Sequence, residues 1–157
     1  MRDVADLPGV KIPPPIIFVG FLALGAALHH GIWPASLGLA AGPRWILAVG
    51  SLALGAALIV SSASRFRAAD TPPAPWKPTR AIVASGPYRL TRNPMYLGMS
   101  AIYVGVACAA DSLSTLVLIA PLMAVIDVFV VRREERYLER KFGDEYGRYR
   151  SSVRRWL

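Results

Sequence analysis

Residues 45–64 read WILAVGSLALGAALIVSSAS and contain no charged side chain. A helix of this length extends about 30 Å, which matches the hydrocarbon core of a bilayer. Three other runs are nearly free of charge, at residues 16–32, 95–110 and 113–131. Four such runs in one chain of 157 residues predict an all-α membrane protein with four transmembrane helices. The run at 95–110 is short for a span, so it either gains Pro94 as a first-turn residue or forms a shallow hairpin with the fourth run.

The composition excludes several classes of protein. Hydrophobic residues make up 54% of the chain and charged residues 18%, which excludes overall disorder. The single cysteine, Cys108, excludes an internal disulfide framework and a multi-cysteine metal site, and we expect no metal. The net charge of +8 is compatible with nucleic acid or an anionic membrane surface. Because the apolar runs are long enough to span a bilayer, we interpret the positive charge as facing a membrane surface. We expect no nucleic-acid partner.

The excess positive charge lies in two segments. The loop at residues 65–94 carries six Lys and Arg against one Asp, and the tail at residues 132–157 carries nine against five Asp and Glu. Because cytoplasmic segments are enriched in Lys and Arg, both are predicted to be cytoplasmic. An even number of spans then places the N-terminus on the same side. We expect one domain over residues 1–157, integral to a bacterial inner membrane or an equivalent membrane.

The third apolar run begins with helix-start signals. Asn93 is a good N-cap and Pro94 a good first helical residue. The free N–H groups of such a helix start, with Arg89 and Arg92 beside them, favour an anion. The alternative is an ordinary cap with the arginines that routinely flank membrane helices. Residues 80–83 are predicted to form a short strand or an extended wall.

The tail is predicted to continue the fourth helix. Gly143 is a stop signal, and Asp144 begins a second short helix. Acidic and basic side chains at i, i+4 spacing are expected to pair across the surface of the continued helix, namely Glu135 and Glu139 with Arg132, Arg136 and Arg140. Asp127 is an intramembrane carboxylate and therefore a functional candidate, but an ion pair with an arginine of the 65–94 loop is favoured.

These polar residues form a composite motif with a known resemblance. It consists of GPYRLTRNPMYLG at residues 86–98, the glutamate pair at 134–135 and FGDEYGRY at 142–149. The motif resembles the integral-membrane methyltransferases, which include isoprenylcysteine carboxyl methyltransferase and phosphatidylethanolamine N-methyltransferase. The NPMYxG part is similar to the phospholipid enzymes, whereas the FGxxY part is closer to the isoprenylcysteine enzymes. The resemblance covers the chain from about Trp45 to its C-terminus.

The resemblance implies S-adenosylmethionine as the methyl donor and assigns residues to its site. Glu134, Asn93 and Arg92 are the catalytic candidates. The cofactor-binding candidates are Gly55, Arg80, Ala81, Ile82, Val83, Tyr88, Asn93, Pro94, Met95, Tyr96, Glu134 and Glu135. Gly55 enters through a Gly-x-Gly pattern whose first glycine is replaced here by Ala53. Glu134 is the natural base for an amine acceptor, whereas a carboxylate acceptor needs no base. The tyrosines of the motif and the tail are expected to pack on the adenine or the sulfonium.

The predicted function is therefore methyl transfer to a lipid-like acceptor at the cytoplasmic membrane face. An isoprenylcysteine carboxyl O-methyltransferase-like reaction on a prenylated small molecule is expected first. Phospholipid N-methylation, as of phosphatidylethanolamine, is the alternative. Lower alternatives are an NADPH-dependent enzyme resembling sterol reductases, and a non-catalytic membrane protein that binds anionic lipid. The acceptor is expected to enter from the bilayer, and the oligomeric state is left open.

Overall fold

The described residues form a bundle of helices. The computed structural model describes residues 7–74 and 77–157, and these contain no β-strand. Residues 1–6 of the N-terminal flank and residues 75–76 of the predicted loop lie outside the described residues. The helices are α1 (Pro14–Gly31), α2 (Ala41–Ala68), α3 (Pro94–Ala109), α4 (Leu113–Phe142) and α5 (Asp144–Ser152). A short 3₁₀ helix, Gly86–Arg89, precedes α3.

The prediction of an all-helical membrane protein is confirmed at the level of length and composition. α1, α2 and α4 are each long and apolar enough to cross a membrane. α3 has only 16 residues and is shorter than a standard span. Apolar side chains on the outer face of α2 are exposed, with Ile46 at 74% and Val60 at 68%. Such faces suit a lipid environment, where outward-facing apolar residues carry no cost.

The predicted start of α3 and the predicted continuation and end of α4 are confirmed. Pro94 is the first residue of α3. α4 passes through a π-helical turn at Asp127–Val131 and continues as Arg132–Phe142, so the tail does extend the fourth helix. Gly143 ends it with a φ of 50°, a backbone conformation that favours glycine, and α5 follows directly.

Two local predictions are wrong. Asn93 makes no side-chain cap, because its Nδ2 donates to the carbonyl of Arg155 at 3.0 Å. Asp127 does form ion pairs, but with Arg132 at 2.8 Å and Arg155 at 3.4 Å rather than with the 65–94 loop. In both cases the actual partner lies in α4 or in the C-terminal segment after α5. Of the two alternatives for residues 80–83, the strand does not form, and the segment is irregular.

The most extensive helix contact among the described residues is between α2 and α3. A Cβ added at Gly55 meets the carbonyl oxygen of Gly98 at 2.5 Å and the backbone nitrogen of Ile102 at 2.9 Å. A Cβ added at Gly98 meets the carbonyl oxygen of Gly55 at 2.9 Å. Glycine is required at both positions because the two backbones touch there, as small residues allow in membrane helices.

The remaining helices pack around the far side of α3. Tyr103 is buried and donates to the carbonyl of Thr115 at 2.8 Å, and Phe18 of α1 packs edge-on against its ring. Trp156, near the C-terminus, packs against the same hydrophobic core. This packing brings the start of α3, the end of α4 and the C-terminal segment to one end of the bundle, which is where the candidate site lies.

We predict that Gly55→Ala destabilises the fold, because the new methyl group meets backbone atoms of α3 that cannot rotate away. Overpacking of this kind costs about 1–3 kcal/mol. Gly50→Ala on the same helix is the matched control, since a Cβ there meets nothing within 4 Å. Thermal unfolding in detergent measures both variants, and an equal melting temperature for the two would contradict the tight contact.

Candidate functional site

A cavity of about 280 Å³ lies where α3 begins and α4 leaves its apolar segment. This volume is at the lower end of small-molecule sites, which span roughly 300–1,000 Å³. Its lining is mostly apolar and aromatic, with a few polar side chains. The described lining residues are Pro8, Pro14, Pro15, Phe66, Pro72, Pro73, Ala74, Thr79, Ala81, Ile82, Val83, Tyr88, Arg92, Asn93, Met95, Tyr96, Met99, Val131, Glu134, Glu135, Tyr137, Leu138, Tyr146 and Tyr149.

Most of the candidates chosen from sequence lie together in this lining. They come from the irregular segment before α3, the start of α3 and α4. The candidates that line the cavity are Ala81, Ile82, Val83, Tyr88, Arg92, Asn93, Met95, Tyr96, Glu134 and Glu135. The motif therefore converges in space, although its parts are separated by almost forty residues of chain in the sequence.

Three candidates lie outside the lining. Gly55 is in the α2–α3 contact, where it has a packing role. Arg80 is exposed and pairs with Asp70 at 3.1 Å, while its backbone N–H donates to Thr71. Pro94 is buried at the first turn of α3. For these three residues the structure offers a local structural role and no contact with the cavity.

The two adjacent glutamates have different surroundings. Glu135 is buried, and its carboxylate is paired with Arg92 at 3.0 Å and with Arg155 at 2.6 Å. Glu134 accepts a hydrogen bond from the Tyr96 hydroxyl at 2.7 Å, and within residues 7–74 and 77–157 it is in no ion pair. Glu134 therefore brings to the cavity a carboxyl group that has no counterion among the described residues, whereas the charge of Glu135 is already satisfied.

Arg92 brings a positive charge to the same cavity. Its side chain is only 10% exposed, and its Nη1 contacts Glu135 and the Tyr146 hydroxyl at 3.3 Å. Its buried Nε–H has no hydrogen-bond acceptor among the described residues. A buried donor without a partner is costly, so it indicates a place for an acceptor brought by a ligand. Arg89, the other arginine considered for an anion, is exposed and does not line the cavity.

Aromatic side chains close the cavity on the tail side. The Tyr149 hydroxyl donates to the carbonyl of Tyr88 at 2.9 Å, and Phe66 packs edge-on against the ring of Tyr88. Burial raises the pKa of Tyr88 and of Tyr149 far above the ordinary tyrosine value. Both hydroxyls therefore remain protonated at neutral pH and serve as donors, while the rings are available for stacking.

Sequence reasoning missed the proline walls of the cavity. Pro8 comes from the N-terminal flank, Pro14 and Pro15 from the first turn of α1, and Pro72 and Pro73 from the segment after α2. The clustering of prolines was visible in the sequence, but nothing in the local pattern indicates that these segments face one cavity. Within the described chain, no group of three or more His, Cys, Asp and Glu side chains is arranged to hold a metal ion.

Comparison with known proteins adds a family match. The family model for phospholipid methyltransferases matches residues 43–145, which is more than half of the chain. An uncharacterized protein of Haemophilus influenzae (strain ATCC 51907 / DSM 11121 / KW20 / Rd) is 67% identical over 33 residues, which make up 21% of this chain and 52% of that protein. The match thus spans about half the length of this relative. No solved structure matches the chain.

We predict that Glu135→Gln strongly destabilises the site end of the bundle, because two arginines lose their shared carboxylate. Removing one partner of a buried ion pair costs about 3–5 kcal/mol. Glu139→Gln on the same helix is the control, since its pair with Arg150 is exposed and worth less than about 1 kcal/mol. Thermal unfolding gives the melting temperature of each variant. Equal melting temperatures would show that the ion pairs of Glu135 do not stabilise the site end of the bundle.

Proposed function

The chain belongs to the phospholipid methyltransferase family, and from that premise we propose that it transfers a methyl group from S-adenosylmethionine to a lipid-like acceptor in the cavity described above. One observation carries the proposal. At the end of three apolar helices, a single cavity holds an arginine with an unpaired N–H and a glutamate without a counterion. The carboxylate of a zwitterionic methyl donor can accept the N–H of the arginine, and a cationic acceptor can pair with the glutamate.

The lining fits the methyl donor. When bound, S-adenosylmethionine supplies an electrophilic methyl group on a sulfonium centre. Arg92 offers the unpaired Nε–H to its carboxylate through a charge-assisted hydrogen bond. The rings of Tyr88 and Tyr149 offer faces for the adenine or the sulfonium. Apolar side chains at Ile82 and Val83 keep this part of the cavity dry.

Glu134 favours an amine acceptor. An alkylamine is protonated at neutral pH and must lose a proton before its nitrogen can be methylated, and Glu134 is placed to take that proton. Its carboxyl group has no counterion among the described residues, so it can pair with an ammonium headgroup but offers no partner to an acceptor carboxylate. We therefore propose an amine-bearing phospholipid as the acceptor, ahead of the prenylated carboxylate that the FGDEYGRY tail first suggests.

The proposed site relies on positioning as much as on acid–base chemistry. Glu134 is held by the Tyr96 hydroxyl, and Arg92 is held by Glu135. Both residues are thus kept in place before a substrate arrives. Bringing two reactants together in a water-poor cavity removes a large part of the barrier to group transfer.

The donor is tested by calorimetry on the protein in detergent. We expect S-adenosylhomocysteine to bind and NADPH not to bind. The reverse result would favour the sterol-reductase-like alternative. If neither compound binds but anionic lipid vesicles do, the result would favour a non-catalytic lipid-binding protein and contradict the proposed activity.

We also propose that the site faces the cytoplasm of an integral-membrane protein with four spans. The positive excess of residues 65–94 and 132–157 supports this orientation. α3 forms a hairpin with α4, so it crosses or nearly crosses the membrane despite its 16 residues. Both termini then lie on the cytoplasmic side.

We predict that a fluorescent protein fused after Leu157 is fluorescent, whereas alkaline phosphatase fused there is inactive. The opposite pattern is expected for fusions at Gly38, in the exposed loop between α1 and α2. These reporters work only in the cytoplasm and the periplasm, respectively. Equal reporter activity at Leu157 and Gly38 would contradict an odd number of spans between these two points, and with it the four-span topology.

We predict that Glu134→Gln lowers the turnover of an amine lipid by about 10²–10⁴-fold while leaving binding of S-adenosylhomocysteine nearly unchanged. The amide keeps the size of the side chain but cannot accept the proton. Glu145→Gln, at an exposed glutamate of α5, is the control and is expected to retain wild-type turnover. Wild-type turnover in Glu134→Gln would exclude Glu134 as the base.

A further inference from the structure

The last five residues of the chain lie beyond the segment that the family model matches, yet they contact the candidate site. The carbonyl of Arg154 accepts the backbone N–H of Arg92 at 2.9 Å. The carbonyl of Arg155 accepts the Thr91 hydroxyl at 2.9 Å and the Asn93 amide at 3.0 Å. The C-terminal segment is therefore fastened along the start of α3, directly behind residues that line the cavity.

The side chain of Arg155 forms the strongest contact of this segment. Its Nε and Nη2 bind the two oxygens of Glu135 at 3.0 Å and 2.6 Å, a two-pronged arrangement. Arg92 reaches the same carboxylate with Nη1 alone, at 3.0 Å. Two arginines thus share one carboxylate, and Arg155 holds the larger part of it.

Two carboxylates are shared among three arginines at this cluster. Asp127 also contacts Arg155, at 3.4 Å, but it is paired more closely with Arg132, at 2.8 Å. Arg155 is therefore left mainly to Glu135. Because Arg155 satisfies Glu135, Arg92 is compensated only in part, and its buried Nε–H stays without an acceptor.

We propose that Arg155 is a positioning residue that keeps Arg92 available for an anionic group in the cavity. Without Arg155, both oxygens of Glu135 become open to the guanidinium of Arg92, which then forms the two-pronged pair itself. The charge of Arg92 is then neutralised, and its affinity for an anion falls. This inference rests on the proposed function, because the anion is the carboxylate of the methyl donor.

Two probes separate this role from a merely structural one. S-adenosylhomocysteine carries the amino-acid carboxylate, whereas 5′-methylthioadenosine has the same nucleoside without it. We expect Arg155→Gln to weaken binding of S-adenosylhomocysteine about tenfold, the value of one charge-assisted hydrogen bond, and to leave 5′-methylthioadenosine nearly unchanged. Calorimetry below the unfolding temperature gives the ratio of the two affinities.

Two further variants sharpen the test. Arg154→Gln removes the same charge from the neighbouring exposed side chain but keeps the carbonyl that Arg92 uses, so its affinity ratio should equal that of the wild type. Arg155→Lys should restore part of the ratio, since one ammonium replaces a two-pronged guanidinium.

The outcomes distinguish the two proposals. If Arg155→Gln weakens both probes equally, or neither, Arg155 does not act through Arg92 and the inference is overturned. If Arg155→Lys restores none of the ratio, the two-pronged pairing by Arg155 is not what keeps Arg92 available. If the wild type binds neither probe, the proposed function fails, and the role of Arg155 fails with it.

Discussion

The site end of the bundle depends on one buried carboxylate, that of Glu135. It joins Arg92 from the segment before α3 to Arg155 from the C-terminal segment, and both side chains reach it from outside α4. A carboxylate at the edge of an apolar bundle is stable only when it is paired in this way. Because its partners come from segments about forty and twenty residues away, the pairing fixes the path of the chain around the cavity.

The glutamate pair shows how a helix separates structural and chemical tasks. Adjacent helical residues point about 100° apart, so Glu134 and Glu135 cannot face the same partners. Glu135 turns to the arginines, and Glu134 turns to the Tyr96 hydroxyl. Glu135 is used to assemble the site, and the carboxyl group of Glu134 is left without a counterion among the described residues. The function proposed for Glu134 therefore depends on the neutralisation of its neighbour.

The sequence predicted what depends on local chemistry and hydropathy. The apolar runs, the start at Pro94 and the stop at Gly143 are local signals, and the structure confirms these ends. The i, i+4 ion pairs expected along α4 do not form, because Glu135 pairs with Arg155 and Glu139 with Arg150. α5 and the C-terminal segment turn back onto α4 and bring arginines that compete better than the local ones. Spacing in one helix ranks only local partners, so it did not identify the cluster around Arg92.

The proline walls have a physical reason that links the fold to a lipid acceptor. Irregular backbone or a helix start beside an apolar cavity normally brings N–H groups that need partners, and a bound acyl chain supplies none. Proline has no N–H and a fixed φ, so it lines a cavity with apolar surface at little conformational cost. Pro14 and Pro15 provide such surface at the start of α1, and Pro72 and Pro73 in the segment after α2. Among the described lining residues, the charged groups are Arg92 and the glutamate pair, so the same cavity has an apolar wall for a lipid and a polar end for methyl transfer.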